Sequence, residues 1–157
     1  MASDVSKYTA TVLWERAPGE AFTDVRFSRG HSWSFDGGIT LRASASPHVV
    51  PRFSDPAGVD PEEAFVASLS SCHMLTFLYL AAKRGLVINR YEDAAEGVMT
   101  KNEQGRFWVS EVTLHPRIDW EGDAPDAAAQ EELHHLAHEE CFIANSVRTE
   151  VRCEPVA

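Results

Sequence analysis

A long segment without charged side chains constrains the fold of this chain more than any other feature. Residues 64–82 contain no Asp, Glu, Lys or Arg. Asp60 is a suitable N-cap residue, and Glu63 completes a capping box with it. We therefore predict a helix over residues 61–84, ended by Gly85. Because this helix is apolar almost all round, we expect a buried core helix rather than a membrane span.

The composition fits one soluble domain over residues 1–157. Of the 157 residues, 44% are hydrophobic and 24% are charged, which is enough to form a core without a disulfide or a metal. The chain has 14 Lys and Arg against 24 Asp and Glu, and its net charge is -10. Because phosphate binding requires basic patches, we expect neither nucleic acid nor a membrane as a partner.

Segments rich in β-branched and aromatic residues on both sides of this helix predict strands. The tight-turn signal Asp36-Gly37-Gly38 predicts a hairpin over residues 33–45. The composition of residues 127–140 predicts a second helix with a narrow apolar stripe. The predicted order is β-β-β-α-β-β-α-β, which describes an α+β domain. The other predicted strands cover residues 8–14, 89–101, 106–120 and 147–151.

The three cysteines, Cys72, Cys141 and Cys153, are an odd number and include no CxxC pair. The N-terminus lacks the basic and apolar regions of a secretory signal, so we expect a cytoplasmic location. Cys72 lies in the middle of the apolar helix, where a free cysteine is usually a small buried hydrophobe. A reactive thiolate there needs a cation from elsewhere in the fold, because the helix dipole acts only near the helix ends.

The other two cysteines have less local support. Cys141 follows the second predicted helix, so it is either a packing residue or the start of a short new turn. In the second case, free N–H groups of the turn would favour a thiolate. Cys153 lies near the C-terminus, and we interpret it as incidental.

A cluster of histidines precedes Cys141 in the pattern HHxxHxxC, formed by His134, His135 and His138. Because His134, His138 and Cys141 recur at helical spacing, one helix face could hold a metal ion. No second ligand pair supports a metal site, and a polar helix face is the preferred interpretation. His73 is interpreted as a core histidine, with tuning of the neighbouring thiol as the alternative.

Arg52 and Glu62 form the remaining candidate constellation. Glu62 occupies the second helical position, where the helix dipole favours a carboxylate without any function, and Arg52 lies in a Pro-rich loop where it can simply be solvated. Glu62 and Cys72 are ten residues apart, or about 15 Å along one straight helix. A shared site therefore needs a long arginine that bridges part of the gap, or a second subunit.

The segment from Arg52 to Cys72 resembles the OsmC/Ohr family, which comprises osmotically inducible protein C and organic hydroperoxide resistance proteins. It contains an arginine, then Asp-Pro-Glu-Glu at residues 60–63, then a helix of small residues leading to Ser-Ser-Cys. A second family motif, a cysteine near the end of a later helix, is matched by Cys141. The resemblance extends over residues 8–151.

The resemblance implies two sheets wrapped around long central helices in an intertwined homodimer. It also implies reduction of alkyl or lipid hydroperoxides by thiols, without a metal or another cofactor. Cys72 would be the peroxidatic nucleophile and Cys141 the resolving cysteine, joined as a disulfide during turnover. Arg52 would stabilise the Cys72 thiolate, and Glu62 would hold Arg52. A dithiol reductant, such as a lipoyl protein, would complete the cycle.

Two questions stay open after this comparison. Arg16 and Arg29 are further candidates for activating Cys72, because the position of the arginine differs between branches of the family. The alternative function is a non-enzymatic protein on the same fold that binds small molecules or senses redox state. In that case the cysteines oxidise without catalytic turnover.

Overall fold

The structure is a computed structural model that describes residues 5–157. The chain divides into two compact units, one ending at Ala64 and the other spanning Phe65–Ala157. Helix α1, Pro61–Lys83, begins in the first unit and continues into the second. The assignment of residues 1–157 to a single domain stays a prediction.

The first unit contains a three-stranded antiparallel sheet with the order β1-β2-β3. Its central and third strands form the predicted hairpin, and the Gly38 N–H donates to the Phe35 carbonyl at 3.0 Å to close the turn. Gly38 has a φ of 91°, a left-handed conformation that glycine adopts without a steric penalty. The strands are β1, Ala10–Leu13, β2, His31–Phe35, and β3, Thr40–Ala43.

Helix α1 has the ends that the sequence predicts. The Asp60 carboxylate accepts a hydrogen bond from the Glu63 N–H at 2.7 Å, and the Glu63 carboxylate accepts one from the Asp60 N–H at 3.1 Å. This is the predicted capping box. Gly85, with a φ of 73°, follows the last turn, as expected for a glycine that ends a helix.

Within one chain, helix α1 is covered on one face only. Every fourth residue on that face is buried, namely Leu69, His73, Phe77 and Ala81. The opposite face is exposed and includes Leu75 at 61% and Tyr79 at 58%. In the part of the chain that the structure describes, α1 alone has the length and composition that would allow it to cross a membrane, a criterion that core helices of soluble proteins also meet.

The second predicted strand pair exists, but each of its arms is divided in two. Strands β4, Ile88–Asp93, and β5, Glu96–Lys101, replace the first arm, while β6, Phe107–Leu114, and β7, Pro116–Trp120, replace the second. The pairing keeps one register across the break, since Asp93 lies opposite Pro116 and Glu96 lies opposite Thr113. The prediction of two unbroken strands was therefore wrong in continuity and right in pairing.

The side chain of Asp93 explains the break in this hairpin. One oxygen of its carboxylate accepts a hydrogen bond from the His115 N–H at 2.6 Å, so this N–H is bonded to a side chain rather than to the opposite strand. The other oxygen accepts a hydrogen bond from the Ser70 hydroxyl on α1. A side-chain acceptor thus competes with the regular ladder at this point.

The C-terminal region confirms the second helix and shifts the last strand. Helix α2, Ala127–Glu140, is capped by Asp126, and the short 3-10 turn Ala144–Ser146 follows it. Strand β8, Glu150–Cys153, pairs in parallel with β6, whereas residues 147–151 were predicted. The strand starts late because the Thr149 hydroxyl donates to the Val109 carbonyl at 2.7 Å, before the ladder begins.

The observed order is therefore β-β-β-α-β-β-β-β-α-β, which keeps the predicted α+β class. Three sheets form among residues 5–157 instead of the predicted two: β1-β2-β3, β4-β7 and β5-β6-β8. The two sheets after α1 share the continuous register of one long hairpin, so they correspond to the second predicted sheet.

Candidate functional site

The structure brings Cys72 and Cys141 together. Their side chains lie close enough for the Cys72 thiol to raise the pKa of Cys141, although 68 residues separate them in the sequence. Cys72 is half-buried on α1, and Cys141 is 1% exposed at the C-terminal cap of α2. Both are free thiols. When two thiols lie this close together, a sulfenic acid formed on one of them can be converted to a disulfide by the other.

The turn after α2 provides hydrogen bonds to Cys141, as one interpretation of the sequence expected. The Ala144 N–H donates to the Cys141 sulfur at 3.4 Å. These bonds do not produce a thiolate, however, because burial raises the pKa of Cys141 and the hydrogen bond with Cys72 raises this pKa further. The N–H groups of Ile143 and Ala144 act in the opposite direction and are outweighed.

An apolar cluster lies in the unit that carries both thiols. The buried cluster of Leu69, Val112 and Leu114 is packed against Phe65, Ile143 and Val147, among others. A cavity of about 300 Å³ lies beside two of these residues and is lined by Phe65, Trp108, Val109, Val147, Arg148 and Thr149. The second unit thus provides an apolar recess near α1 and the turn that follows α2.

The predicted residues Arg52 and Glu62 belong to the first unit. Arg52 is exposed, and its guanidinium forms no ion pair or hydrogen bond among residues 5–157. Glu62 is half-buried at the second position of α1. Because α1 is unbroken, the separation of about 15 Å between Glu62 and Cys72 that the sequence indicated also applies to the structure.

The two alternative arginines, Arg29 and Arg16, are both bonded to groups of the first unit. The Arg29 guanidinium lies 3.6 Å from the centre of the Phe27 ring and donates to the Phe27 and Val25 carbonyls. Arg16 is exposed and donates to the Glu20 carbonyl at 2.5 Å. Both therefore have partners within the first unit, whereas the Arg52 guanidinium has none among the described residues.

A second group of side chains forms around His73, the residue that follows Cys72 on α1. The Nε2 atom of His73 is 3.1 Å from the Nδ1 atom of His134. The Cys153 sulfur is 3.5 Å from the same Nδ1 atom and 3.9 Å from the His73 Nε2 atom. Within residues 5–157, this is the one group of three His, Cys, Asp or Glu side chains close enough to hold a metal ion.

This group decides two points that the sequence raised. The set His134, His138 and Cys141 is not assembled, because His134 turns toward His73 and Cys141 toward Cys72. Cys153 is not incidental, since it contacts both histidines. Local spacing gave no sign of this group, which joins three separate elements. The only usable signal was the four-residue period that puts His73 on the buried face of α1.

Burial keeps all three side chains uncharged at neutral pH. It lowers the pKa of His73 to about 4, helped by His134 and His138 and opposed by Asp93. It also lowers the pKa of His134 to about 4. The pKa of Cys153 is raised to about 12, first by burial and then by Asp93 and Glu154.

The raised pKa of Cys141 leads to a prediction about its alkylation. In the reduced protein, the rate of Cys141 labelling by iodoacetamide should still increase between pH 8 and pH 10, because burial favours the thiol over the thiolate. Peptide mass spectrometry reports each cysteine separately. The same protein unfolded in urea is the control. Its Cys141 labelling rate should have a midpoint near pH 8.5, the ordinary pKa of a cysteine. A Cys141 profile in the folded protein that levels off below pH 8 would contradict this assignment.

Comparisons with known proteins identify a family and structures that this chain resembles. The chain matches the family model described as OsmC-like protein over residues 54–155. The solved structure of an OsmC-like protein of unknown function from Vibrio cholerae is 52% identical to it. That match has a TM-score of 0.92 and covers 97% of this chain and 100% of the other. A comparison with curated proteins found no match.

More distant structures share the fold. The organic hydroperoxide resistance protein OhrB of Bacillus subtilis is 20% identical, with a TM-score of 0.69 over 96% of this chain and 98% of that one. An organic hydroperoxide resistance protein OsmC from Legionella pneumophila is 18% identical, with a TM-score of 0.69 over 98% of this chain and 100% of that one. The resemblance found in the sequence is confirmed, and the chain belongs to the family of OsmC-like proteins.

Proposed function

We propose that this protein is a thiol-dependent peroxidase that reduces organic hydroperoxides to alcohols. The observation that carries the proposal is the proximity of the Cys72 and Cys141 side chains, which brings the two sequence motifs together in one place. Two structures with the same fold are named organic hydroperoxide resistance proteins, which supports this chemistry. The reaction belongs in a reducing cytoplasm, where a dithiol can restore both thiols.

The exposure of the two cysteines supports the roles that we propose for them. Cys72 is half-buried and therefore accessible to a peroxide, so it is the nucleophile. Its thiolate attacks the O–O bond, takes up the hydroxyl oxygen as a sulfenic acid, and releases an alkoxide that gains a proton to become the alcohol. Cys141 is almost fully buried against Cys72, so it is the resolving thiol.

The second half of the cycle restores both thiols. The Cys141 sulfur attacks the Cys72 sulfenic acid, the S–S bond forms, and the hydroxyl leaves as water. An external dithiol then reduces the disulfide by exchange and is itself oxidised to a disulfide. Each turnover thus consumes one hydroperoxide and one dithiol, and it yields one alcohol and one water.

The apolar surroundings favour organic hydroperoxides over hydrogen peroxide. Phe65, Leu69 and Val147 belong to an apolar cluster of the unit that carries both cysteines, and a cavity of about 300 Å³ lined in part by Phe65 and Val147 can accept an alkyl group. Burial of an alkyl chain contributes about 0.8 kcal/mol for each methylene group. Hydrogen peroxide gains none of this binding energy.

A peroxidase assay tests the proposal. With dihydrolipoamide as the reductant, the protein should turn over cumene hydroperoxide with a higher kcat/KM than hydrogen peroxide. Cys72→Ser should abolish turnover, because no thiolate remains to attack the peroxide. Cys141→Ser should complete one turnover and then accumulate Cys72 sulfinic or sulfonic acid, because no thiol captures the sulfenic acid. Consumption of dihydrolipoamide and peptide mass spectrometry measure these outcomes.

Other outcomes of this assay decide against the proposal. Full activity in Cys72→Ser would contradict the assigned nucleophile. If peroxide oxidises wild-type protein to the Cys72–Cys141 disulfide but dihydrolipoamide is not consumed continuously, the alternative of a redox-sensing or small-molecule-binding protein is favoured. Circular dichroism of each variant confirms that a loss of activity does not come from unfolding.

We assign the activation of Cys72 to Arg52, with Glu62 as the residue that positions Arg52. The Arg52 guanidinium has no competing partner among residues 5–157, whereas Arg29 and Arg16 are engaged within the first unit. Arg52→Ala should lower kcat/KM for cumene hydroperoxide by about 10² to 10³, the usual cost of losing one electrostatic group from a site. Arg52→Lys should retain part of the kcat/KM that Arg52→Ala loses. If Arg52→Ala stays active and Arg29→Ala or Arg16→Ala loses most of its kcat/KM, the arginine replaced in the inactive variant is the one that activates Cys72.

We also propose that two copies of the chain form a homodimer through the exposed face of α1. Leu75 and Tyr79 are more than half exposed on this face, and an apolar helix of this length normally has such a face covered. A second copy would also provide the second subunit that the distance between Glu62 and Cys72 calls for.

Light scattering coupled to size-exclusion chromatography tests the dimer. The wild-type chain should elute with the mass of a dimer. Leu75→Glu should shift the mass to that of a monomer, because it places a charge in the proposed apolar interface. Ile39→Glu is the matched control, since Ile39 is equally exposed at 62% but lies beside the hairpin turn of the first unit. A monomeric wild-type protein, or a dimeric Leu75→Glu, would contradict the interface.

A further inference from the structure

The group formed by His73, His134 and Cys153 has the dimensions of a metal site. Its three potential ligand atoms are separated by 3.1, 3.5 and 3.9 Å. Tetrahedral zinc, with Zn–N of about 2.0 to 2.1 Å and Zn–S of about 2.3 Å, separates such atoms by about 3.3 to 3.6 Å. A point equidistant from all three atoms lies about 2 Å from each of them, which is the length of a ligand bond.

We propose that His73, His134 and Cys153 bind a divalent transition metal ion, zinc in preference to others, with the fourth coordination position left open. Two imidazoles and one thiolate form a donor set that suits zinc and excludes calcium and magnesium, which require oxygen ligands. The proposal goes beyond the peroxidase function and does not depend on it, because it uses none of the residues assigned to the peroxidase.

The ligands are held in place by the elements that carry them. His73 lies on α1, His134 on α2 and Cys153 on β8, and the two histidines are 1% and 5% exposed. Their rings are stacked, with centroids 5.4 Å apart and planes 8° apart, and Phe77 covers His134 at 4.3 Å. Preorganised ligands lose little conformational entropy when an ion binds.

The fourth position faces a cavity of about 600 Å³, because all three ligands line it. Gln130, Glu131 and His138 line the same cavity and provide polar groups around the open position. Zinc sites with three protein ligands and an open position hold a water molecule or a substrate, unlike closed structural sites. The ligand class for the fourth position is therefore water or a small anion.

A metal-free network of hydrogen bonds is the competing explanation. An N–H on one ring and a lone pair on the other account for the separation of 3.1 Å, with the Cys153 thiol as an additional weak donor. An ion would replace the thiol proton, which is released to solvent, and would occupy a lone pair on each imidazole. The two explanations differ in one measurable respect, stoichiometric metal binding.

Titration with cobalt(II) tests the proposal. The chelator-treated, reduced protein should bind one Co²⁺ per chain, with a thiolate-to-cobalt charge-transfer band and the strong visible bands of tetrahedral cobalt, and Zn²⁺ should displace it. The Cys72→Ser/Cys141→Ser double variant should give the same spectrum, because Cys153 is then the only thiol. Adding Cys153→Ser to this background should remove the charge-transfer band. It should also weaken Co²⁺ binding by at least about 100-fold, since even outer-shell partners are worth 10- to 100-fold.

The matched control is His48→Gln. His48 is an exposed histidine of the first unit and does not line the cavity beside the three ligands, so its replacement should leave Co²⁺ binding unchanged. A second measurement needs no variant: Zn²⁺ should raise the unfolding temperature of wild-type protein, Mg²⁺ should not, and EDTA should reverse the change. Absence of stoichiometric Co²⁺ binding by wild-type protein, or a charge-transfer band that survives Cys153→Ser in the double-variant background, would overturn the proposal.

Discussion

The packing of α1 against α2 in the second unit determines the positions of two groups of side chains, the Cys72–Cys141 pair and the group around His73. Phe77 of α1 forms a buried cluster with Leu133 and Ala137 of α2. Consecutive residues of an α-helix point about 100° apart, so Cys72 and His73 leave α1 in different directions. The first meets Cys141 and the second meets His134, and both of these partners are placed by α2. One helix pair thus builds two chemically distinct groups.

The sequence predicted the elements whose signals are local. The capping box at Asp60 and the glycine after α1 fixed that helix within a residue, and the Asp-Gly-Gly turn fixed the first hairpin. Errors arose where a side chain from another element competes for the backbone. Asp93 interrupts the long hairpin, and the Thr149 hydroxyl delays β8. Such bonds depend on tertiary position, which no spacing along the chain encodes.

The candidate functional residues show the same difference between local sequence signals and tertiary contacts. Motif resemblance selected Cys72 and Cys141, and the structure places them in contact. The group around His73 was missed because its members lie on three elements and its closest sequence neighbours, His134 and Cys153, are 19 residues apart along the chain. The helical spacing of His134, His138 and Cys141 was misleading, because side chains on one helix face can contact different partners. The activating arginine likewise depends on tertiary and quaternary position.

The carboxylate of Asp93 has a consequence for which part of the thiol pair can move. It ties Ser70, two residues before Cys72, to the backbone of the long hairpin at His115. Helix α1 therefore cannot slide along the sheet without losing these bonds, and Cys72 is the stationary partner. Cys141, by contrast, has an extended backbone just beyond the end of α2 and precedes a three-residue turn. If the two cysteines form the proposed disulfide, this turn would accommodate its formation and opening, while Cys72 keeps its position.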